Sequence, residues 1–467
     1  MQWWIVWLGE LFWIVGVGIW VATDRRAPAS TLAWIVVLAF LPLVGLPVYL
    51  LVGPRRLRRQ RLRYQGLSES VAAALGSVER HPDIPPDVAR QVRLAARLDE
   101  APLSSATSLT HFRSGAAAFA AIEEDIAAAR HHVHLEFYIW SDDCTGRRIR
   151  DLLTERARAG IEVRVLVDSV GAGVNAAFFS ALVAAGGHYA RFNPPRFGLR
   201  LRLLNFRSHR KIVVVDGEVG YLGGMNVCDE QTSGVGGDSP WRDSQLRMEG
   251  EAVRWLQRSF LENWQFSTPS PLAIEPEYLP GQPRGDHWLQ IVRGGPDRAV
   301  FPIHEFFFTA IAGADERIWI SSPYLVPDEA TLLALRSAAH RGVDVRLLVP
   351  VRGDHRLVTA AVRSYYDDWL ACGARVFEYG PAMLHAKTML VDRELAVVGS
   401  ANVDNRSFRL NFEIVAAVYG EEAADDLAEE FEEDLEMAHE ILPSDLASRS
   451  RLRVLGEVGA RLFSALL

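Results

Sequence analysis

Two short stretches carry the residue types that phosphoryl chemistry needs. His209, Lys211 and Asp216 stand in FRSHRKIVVVDG, and His385, Lys387 and Asp392 stand in MLHAKTMLVDRE. In both, lysine comes two residues after histidine and aspartate five after lysine. Asn226 and Asn402 follow their histidines by 17 residues, and Gly224 and Ser400 by 15. Glu413 follows His385 by 28; in the first stretch the Gly-rich insertion SGVGGD delays the corresponding acid to Asp243. Lys211 and Lys387 are the only two lysines in a chain of 467 residues with 50 Lys and Arg. Lysine is a compact charge with rotatable donors, whereas arginine brings a rigid planar fork.

These types suit transfer of a phosphoryl-linked group. One imidazole can attack phosphorus and form a covalent intermediate. A second can protonate the leaving alkoxide and then deprotonate the incoming alcohol. Lys211, Lys387, Asn226 and Asn402 can hydrogen-bond the non-bridging oxygens. Asp243 and Glu413 can orient the imidazoles and stabilise their cationic form. Asp216 and Asp392 complete the repeated pattern and are expected in the catalytic set, although Asp216 could be only the turn residue after KIVVV. The residues alone do not say which histidine attacks.

The elements that must position these groups are repeated too. Past residue 100, helices and strands alternate, which signals an α/β arrangement. ARAGIEVRVLV in one half matches AHRGVDVRLLV in the other. The expected organisation is a first domain over 101–266, a Pro/Gly-rich linker over 267–286 and a second domain over 287–467. Residues i and i+2 of a strand share a face, so each histidine points the same way as its lysine. Twofold packing of the halves would bring both pairs to one cleft.

Residues 3–22 and 31–52 are apolar runs, the first broken only by Glu10. Each is about 20 residues long, enough to cross a bilayer core. Six arginines between Arg55 and Arg63 follow, against two in the intervening link. The positive-inside rule then places everything after residue 52 in the cytoplasm. Residues 1–64 are expected to form a transmembrane hairpin with a basic segment, and 65–100 a connecting segment. A signal peptide ending at the APA of 27–29 is disfavoured, because a basic leader is missing and a second full run follows. A net charge of −8 argues against general nucleic-acid binding. Cys144, Cys228 and Cys372 lie far apart and read as small core thiols in a reducing compartment. The acidic stretch 421–440 reads as a solvated helix. His131, His132 and His134 begin a strand without a further ligand set, and 196–207 is a basic, apolar stretch that could touch headgroups near the cleft or be an ordinary loop-to-strand entry.

The doubled His-x-Lys-x4-Asp pattern, each followed by Gly-(Gly/Ser)-x-Asn, resembles the phospholipase D superfamily. HRKIVVVDGEVGYLGGMNVCDE, WRDSQLRMEGEAVRWLQRSFLENW and GSANVDNRSFRLNFE resemble segments of its bacterial cardiolipin synthases more closely. Ser208 departs from the asparagine common at that place. The resemblance covers nearly the whole chain. It implies two phospholipase D-like α/β domains sharing one cleft, preceded by a two-helix transmembrane hairpin. It also implies no metal or other cofactor, phosphatidylglycerol and anionic membrane lipids as partners, and no nucleic acid. The implied location is the bacterial inner membrane, with the catalytic domains cytoplasmic. The implied reaction transfers a phosphatidyl group between two phosphatidylglycerols and releases glycerol, with His209 as nucleophile and His385 as acid/base. Hydrolysis by a phospholipase D, a membrane-tethered nuclease and a non-catalytic lipid-binding protein are the alternatives.

Overall fold

The computed structural model describes residues 12–19, 21, 28–41, 45–46, 71, 88–99, 101–193, 206–236, 238–269, 272–298 and 300–464. The alternating helices and strands assemble into two large mixed sheets. The first has seven strands, in the order Ser108–Ser114, Arg242–Glu249, Val219–Gly223, Ile212–Val215, His132–Phe137, Glu162–Asp168 and His188–Phe192. The second has nine. Its inner seven run His287–Gly294, Glu413–Tyr419, Leu395–Gly399, Thr388–Val391, Arg317–Ser321, Asp344–Pro350 and Arg375–Tyr379, which repeats the first sheet strand for strand. The duplication read from sequence is therefore a duplication of architecture.

Local chemistry explains the repeats. Val163, Val165 and Val167, and Val345, Leu347 and Val349, are buried on central parallel strands, where near-continuous apolar runs are expected. The helix before each strand stops at a glycine with positive φ, Gly160 at 88° and Gly342 at 92°. The sheets pack on one another through Ile212, Val214 and Leu222 of one half and Leu390, Val398 and Ile414 of the other. That shared core fixes the halves as one body.

Two segments ahead of the first sheet pack on the second half. Ser104–Ala106, expected in the first domain, pairs antiparallel with His287–Gly294 at the edge of the second sheet. The helix Ala89–Leu98, expected to be a connector, buries Val92 and Ala95 against Phe306, Phe307 and Ala310. Its apolar face had only the second half to cover it. The linker is not free either. Tyr278 is buried beside Leu166, Phe192 and Phe260, and its hydroxyl donates to Glu162 at 2.6 Å. His132 and His134 pack around the Tyr278 ring at 5.0 and 5.1 Å. Burial drives His132 down to about 2, so it stays neutral. Half-buried His131 lies close enough to the exposed Glu275 and Glu277 for a shared ion, at the strand end away from the cleft described below.

The acidic helix Glu421–Glu436 is not simply solvated. Ala424, Leu427, Ala428 and Phe431 are buried. Asp434 is 1% exposed and receives Arg113 at 3.0 Å and Arg242 at 2.8 Å, both from the first half. Its acids thus meet basic partners within the chain.

Of the N-terminal runs, 12–19, 21, 28–41 with the helix Pro28–Phe40, and 45–46 are described. Val17, Val21 and Leu38 are buried together, and Trp13 Nε1 donates to Leu38 O at 3.1 Å. Among the described residues no helix is long and apolar enough to cross a membrane. Glu10, the arginines of 55–63 and most of the basic, apolar stretch 196–207 lie outside the described residues. Cys228 and Cys372 are buried free thiols as expected, but Cys144 is exposed and not a core thiol, because it opens the helix Cys144–Arg158 at the surface.

Candidate active site

The site is assembled by crossed backbone contacts. His209 N donates to Phe412 O at 2.9 Å, and Phe412 N donates to Arg207 O at 2.8 Å. Symmetrically, His385 N donates to Arg242 O at 2.7 Å, and Arg242 N donates to Met383 O at 2.9 Å. Each histidine loop therefore runs beside the other half's acid-bearing strand. Phe412 immediately precedes Glu413, and Arg242 immediately precedes Asp243.

The side chains follow the same crossing. His209 Nδ1 lies 3.0 Å from Glu413 Oε2 and 3.1 Å from Ser400 O. His385 Nδ1 lies 2.5 Å from Asp243 Oδ2. Each carboxylate is braced by an amide. Asn411 Nδ2 donates to Glu413 at 3.1 Å, and Gln231 Nε2 donates to Asp243 at 2.9 Å. The Ser400 hydroxyl also donates to Glu413. At the matching place Gly224 is required, since a Cβ there would stand 2.1 Å from Asp243 Oδ1.

Protonation follows from burial. Loss of solvent pushes His209 down to about 4 and lowers His385 as well. Burial alone would raise Glu413 and Asp243. Their contacts with the imidazoles and lysines outweigh it and hold both below the ordinary carboxylate range. Near neutral pH the pairs are thus neutral imidazole and carboxylate. Nδ1–H donates to the acid, which leaves Nε2 with its lone pair.

Both imidazoles line one cavity of about 480 Å³, together with Asn226 and Asn402. Asn226 Oδ1 accepts from Ile139 N at 3.1 Å, and its buried Nδ2 has no protein partner. Asn402 Oδ1 is likewise buried and unpartnered. A half-turn of that amide presents its NH2 group instead. Buried polar atoms without partners at a cavity are where a ligand's polar atoms are expected.

The lysines are enclosed: Lys211 is 0% and Lys387 3% exposed. Lys211 Nζ donates to His209 O at 2.6 Å, and Lys387 Nζ donates to His385 O. Burial lowers Lys211 to about 7 and Lys387 to about 8, although the nearby acids work against it.

Asp216 and Asp392 are not brought to the cavity. Asp216 accepts from the backbone N–H groups of Arg130, His131 and His132 at 2.8, 2.8 and 2.9 Å. Asp392 does the same for Asp315, Glu316 and Arg317. Both sit in left-handed turns, with φ of 55° and 51°. Each follows a four-residue strand whose other end adjoins the lysine. The extended chain carries the aspartate away from the imidazole.

Tyr138, Trp241, Tyr324, Asp354, His355 and Arg406 also line the cavity and were not singled out from sequence. The Tyr138 ring meets His209 edge-on at 4.9 Å, and Trp241 lies 5.1 Å from the His385 ring. Tyr138 directly follows the strand His132–Phe137. The carboxyl end of a strand is where α/β sheets present ligand-binding groups, and that was the available signal.

Comparison with known proteins agrees with this arrangement. The family "Cardiolipin synthase, PLD-like domain" matches residues 122–236 and 307–435, and a phospholipase D-nuclease N-terminal family matches 11–54. The cardiolipin synthase of Geobacillus thermodenitrificans is 39% identical over 460 residues, covering 96% of this chain and 91% of that protein. Cardiolipin synthase 2 of Bacillus cereus is 38% identical, covering 95% and 88%. The crystal structure of phosphatidylserine synthase from Haemophilus influenzae shares the fold, with a TM-score of 0.63 at 13% identity over 81% of this chain and all of that one. With its two equivalent half-sites closed over one cavity, the chain belongs to the phospholipase D-like cardiolipin synthase family.

Proposed function

We propose that this chain is a cardiolipin synthase that moves a phosphatidyl group from one phosphatidylglycerol to another and releases glycerol. The observation that carries this reading is the pair of imidazoles on one cavity, each held through Nδ1 by a carboxylate. Nε2 of one ring, neutral, attacks phosphorus and the P–O bond to glycerol breaks, while the other ring enters the step as the imidazolium beside its carboxylate and delivers its Nε2 proton to the leaving oxygen. The second ring then takes the proton of the acceptor's hydroxyl, and that oxygen displaces the first ring from phosphorus. We assign attack to His209, which burial keeps unprotonated, and proton transfer to His385.

Asn226 and Asn402 would bind the non-bridging oxygens, with Lys211 and Lys387 supplying positive charge behind them. Asp243 and Glu413 would fix the Nδ1–H tautomer and stabilise the imidazolium when it forms. Asp216 and Asp392 would serve the fold, not the chemistry. None of these steps calls for a metal. The apolar runs in 1–64 would form a membrane hairpin that places the halves on the cytoplasmic side of a bacterial inner membrane, within reach of lipid substrate.

The test is a product assay on the full chain in mild detergent with phosphatidylglycerol and a chelator. Cardiolipin with glycerol, abolished in His209→Ala and in His385→Ala, supports the reading. Phosphatidic acid without cardiolipin means that water is the acceptor and the enzyme hydrolyses lipid. Absence of any lipid product overturns it.

A further inference from the structure

The helix Arg451–Arg461 is packed inside out. Of its residues only Glu457 and Ala460 are buried. The large apolar side chains face away from the protein: Leu452 is 82% exposed, Leu455 68% and Leu462, just past the helix end, 81%. Val458 and Phe463 extend the same apolar surface. Glu457 faces the protein because Arg449 and Arg453 meet it at 2.8 and 2.9 Å. In water this arrangement forfeits the burial that normally drives a helix onto its own core.

The helix is also fastened to the mouth of the cavity. It lies along the helix Arg356–Arg363, whose Val358 lines the cavity and whose Leu357 is exposed. Ser464 O, just beyond it, accepts from Asn405 Nδ2 at 3.2 Å. Asn405 stands between Asp404 and Arg406, both of which line the cavity. Residues 449–463 hold four arginines and one glutamate in a chain of net charge −8; Arg449 and Arg461 pair with Asp367 and Asp368 of the protein, while Arg451 and Arg453 are exposed. A short helix with an outward apolar stripe and basic flanks matches elements that lie in the headgroup layer of anionic membranes.

The geometry points to this helix as a membrane-docking surface that seats the cavity mouth on a bilayer containing anionic phospholipid. Leu452, Leu455 and Leu462 would enter the acyl boundary while Arg451 and half-exposed Arg453 meet phosphates. This rests on the lipid-transferase reading and adds how a lipid reaches the cleft. The hairpin alone would tether the enzyme without orienting it, whereas docking here would hold the mouth at headgroup depth.

The test uses the full chain reconstituted in phosphatidylglycerol vesicles. A nitroxide is attached at Leu455→Cys in a Cys144→Ser background, with Asp151→Cys as an exposed control. Docking predicts that the Leu455 label relaxes with oxygen more than with a water-soluble nickel chelate, and the Asp151 label the reverse. Nickel access equal to the control overturns the proposal. So does spin–spin broadening that persists in detergent without lipid, which would mean a second copy covers the helix. A second arm compares substrates. Leu452→Asp/Leu455→Asp/Leu462→Asp should cut cardiolipin formation in vesicles by about tenfold or more, since a carboxylate in place of each leucine removes the apolar anchor. Turnover of a short-chain, monomeric phosphatidylglycerol should be unchanged; an equal loss on both substrates overturns docking. If neither form gives any lipid product, the transferase reading fails, and the nitroxide still decides whether the helix docks.

Discussion

His385 Nδ1 lies 2.5 Å from Asp243 Oδ2, although 142 residues separate them and they belong to different halves. His209 and Glu413 repeat the relationship at 3.0 Å across 204 residues. Each half therefore supplies an imidazole for itself and a carboxylate for its neighbour. Asp243→Asn should impair His385, and Glu413→Gln should impair His209, each in the opposite half. A triad-type acid-to-amide change costs about 10⁴-fold in turnover when it misplaces the tautomer. A loss of roughly hundredfold to 10⁴-fold in cardiolipin formation is expected, with the circular dichroism spectrum retained. Near-normal turnover in either variant would show that the crossed pair does not control that histidine.

Gly224→Ala tests the same pair without touching a polar group. The new Cβ would press on Asp243 Oδ1 from 2.1 Å. Asp243 must shift, so the variant should approach Asp243→Asn in turnover while keeping most of its thermal stability. A fully active Gly224→Ala would mean that the acid has room the structure does not show.

The lysines predict an intolerance of arginine. Lys211 and Lys387 are enclosed and donate to the carbonyls of their own histidines. A guanidinium placed there would carry five donors in a fixed plane, some of them buried without acceptors. Each unmet donor costs about 1–3 kcal/mol. Lys211→Arg and Lys387→Arg should each lower turnover at least about tenfold to hundredfold at saturating lipid. Retention of near-normal turnover by both would falsify the idea that these positions demand lysine.

The pH profile follows from burial. His209 is neutral above about 4, so kcat/KM for a monomeric substrate should rise as pH climbs through that value. The profile should fall as His385, which must carry the proton for the leaving oxygen, loses it below its ordinary value of 6.5, and fall further as Lys211 and Lys387 lose their charge above about 7 and 8. In kcat the fall should move to higher pH, because a bound phosphodiester holds the ammonium groups protonated. Stability has its own sign. His209 sits below its ordinary value of 6.5, so the unfolded chain takes up that proton first as pH drops from 6.5 toward 4. Its contribution to stability is complete above 6.5 and declines through that window. A kcat/KM that is flat from pH 5 to 9 would contradict the lysine assignment.

Asp216 and Asp392 separate structural from chemical conservation of pattern within one chain. Each accepts three backbone N–H groups at a turn. Asp216→Ala should destabilise by about 1–3 kcal/mol or more, seen as a lower melting temperature. The folded fraction should keep its turnover. Loss of turnover at unchanged stability would return the aspartate to the chemistry.

The sequence by itself determined a good deal. Identical spacing around His209 and His385, and the confinement of lysine to Lys211 and Lys387, marked two equivalent half-sites. Repeated helix–glycine–strand joints at Gly160 and Gly342 marked the duplication, because helix stops and buried strands are local and leave local signatures. Tertiary structure decided which partners meet. Spacing names Asp243 and Glu413 but cannot say that they cross, since crossing depends on how two sheets stack. Asp216 and Asp392 looked catalytic because they recur; only strand direction shows that they end up at the far side. Tyr138, Trp241 and Arg406 come from separate segments and converge on the cavity only when the sheets close over it. The outward face of Leu452, Leu455 and Leu462 was likewise invisible beforehand. An apolar stripe in sequence does not reveal whether it faces the core or another phase, and here the packing of Glu457 and Ala460 turned it outward.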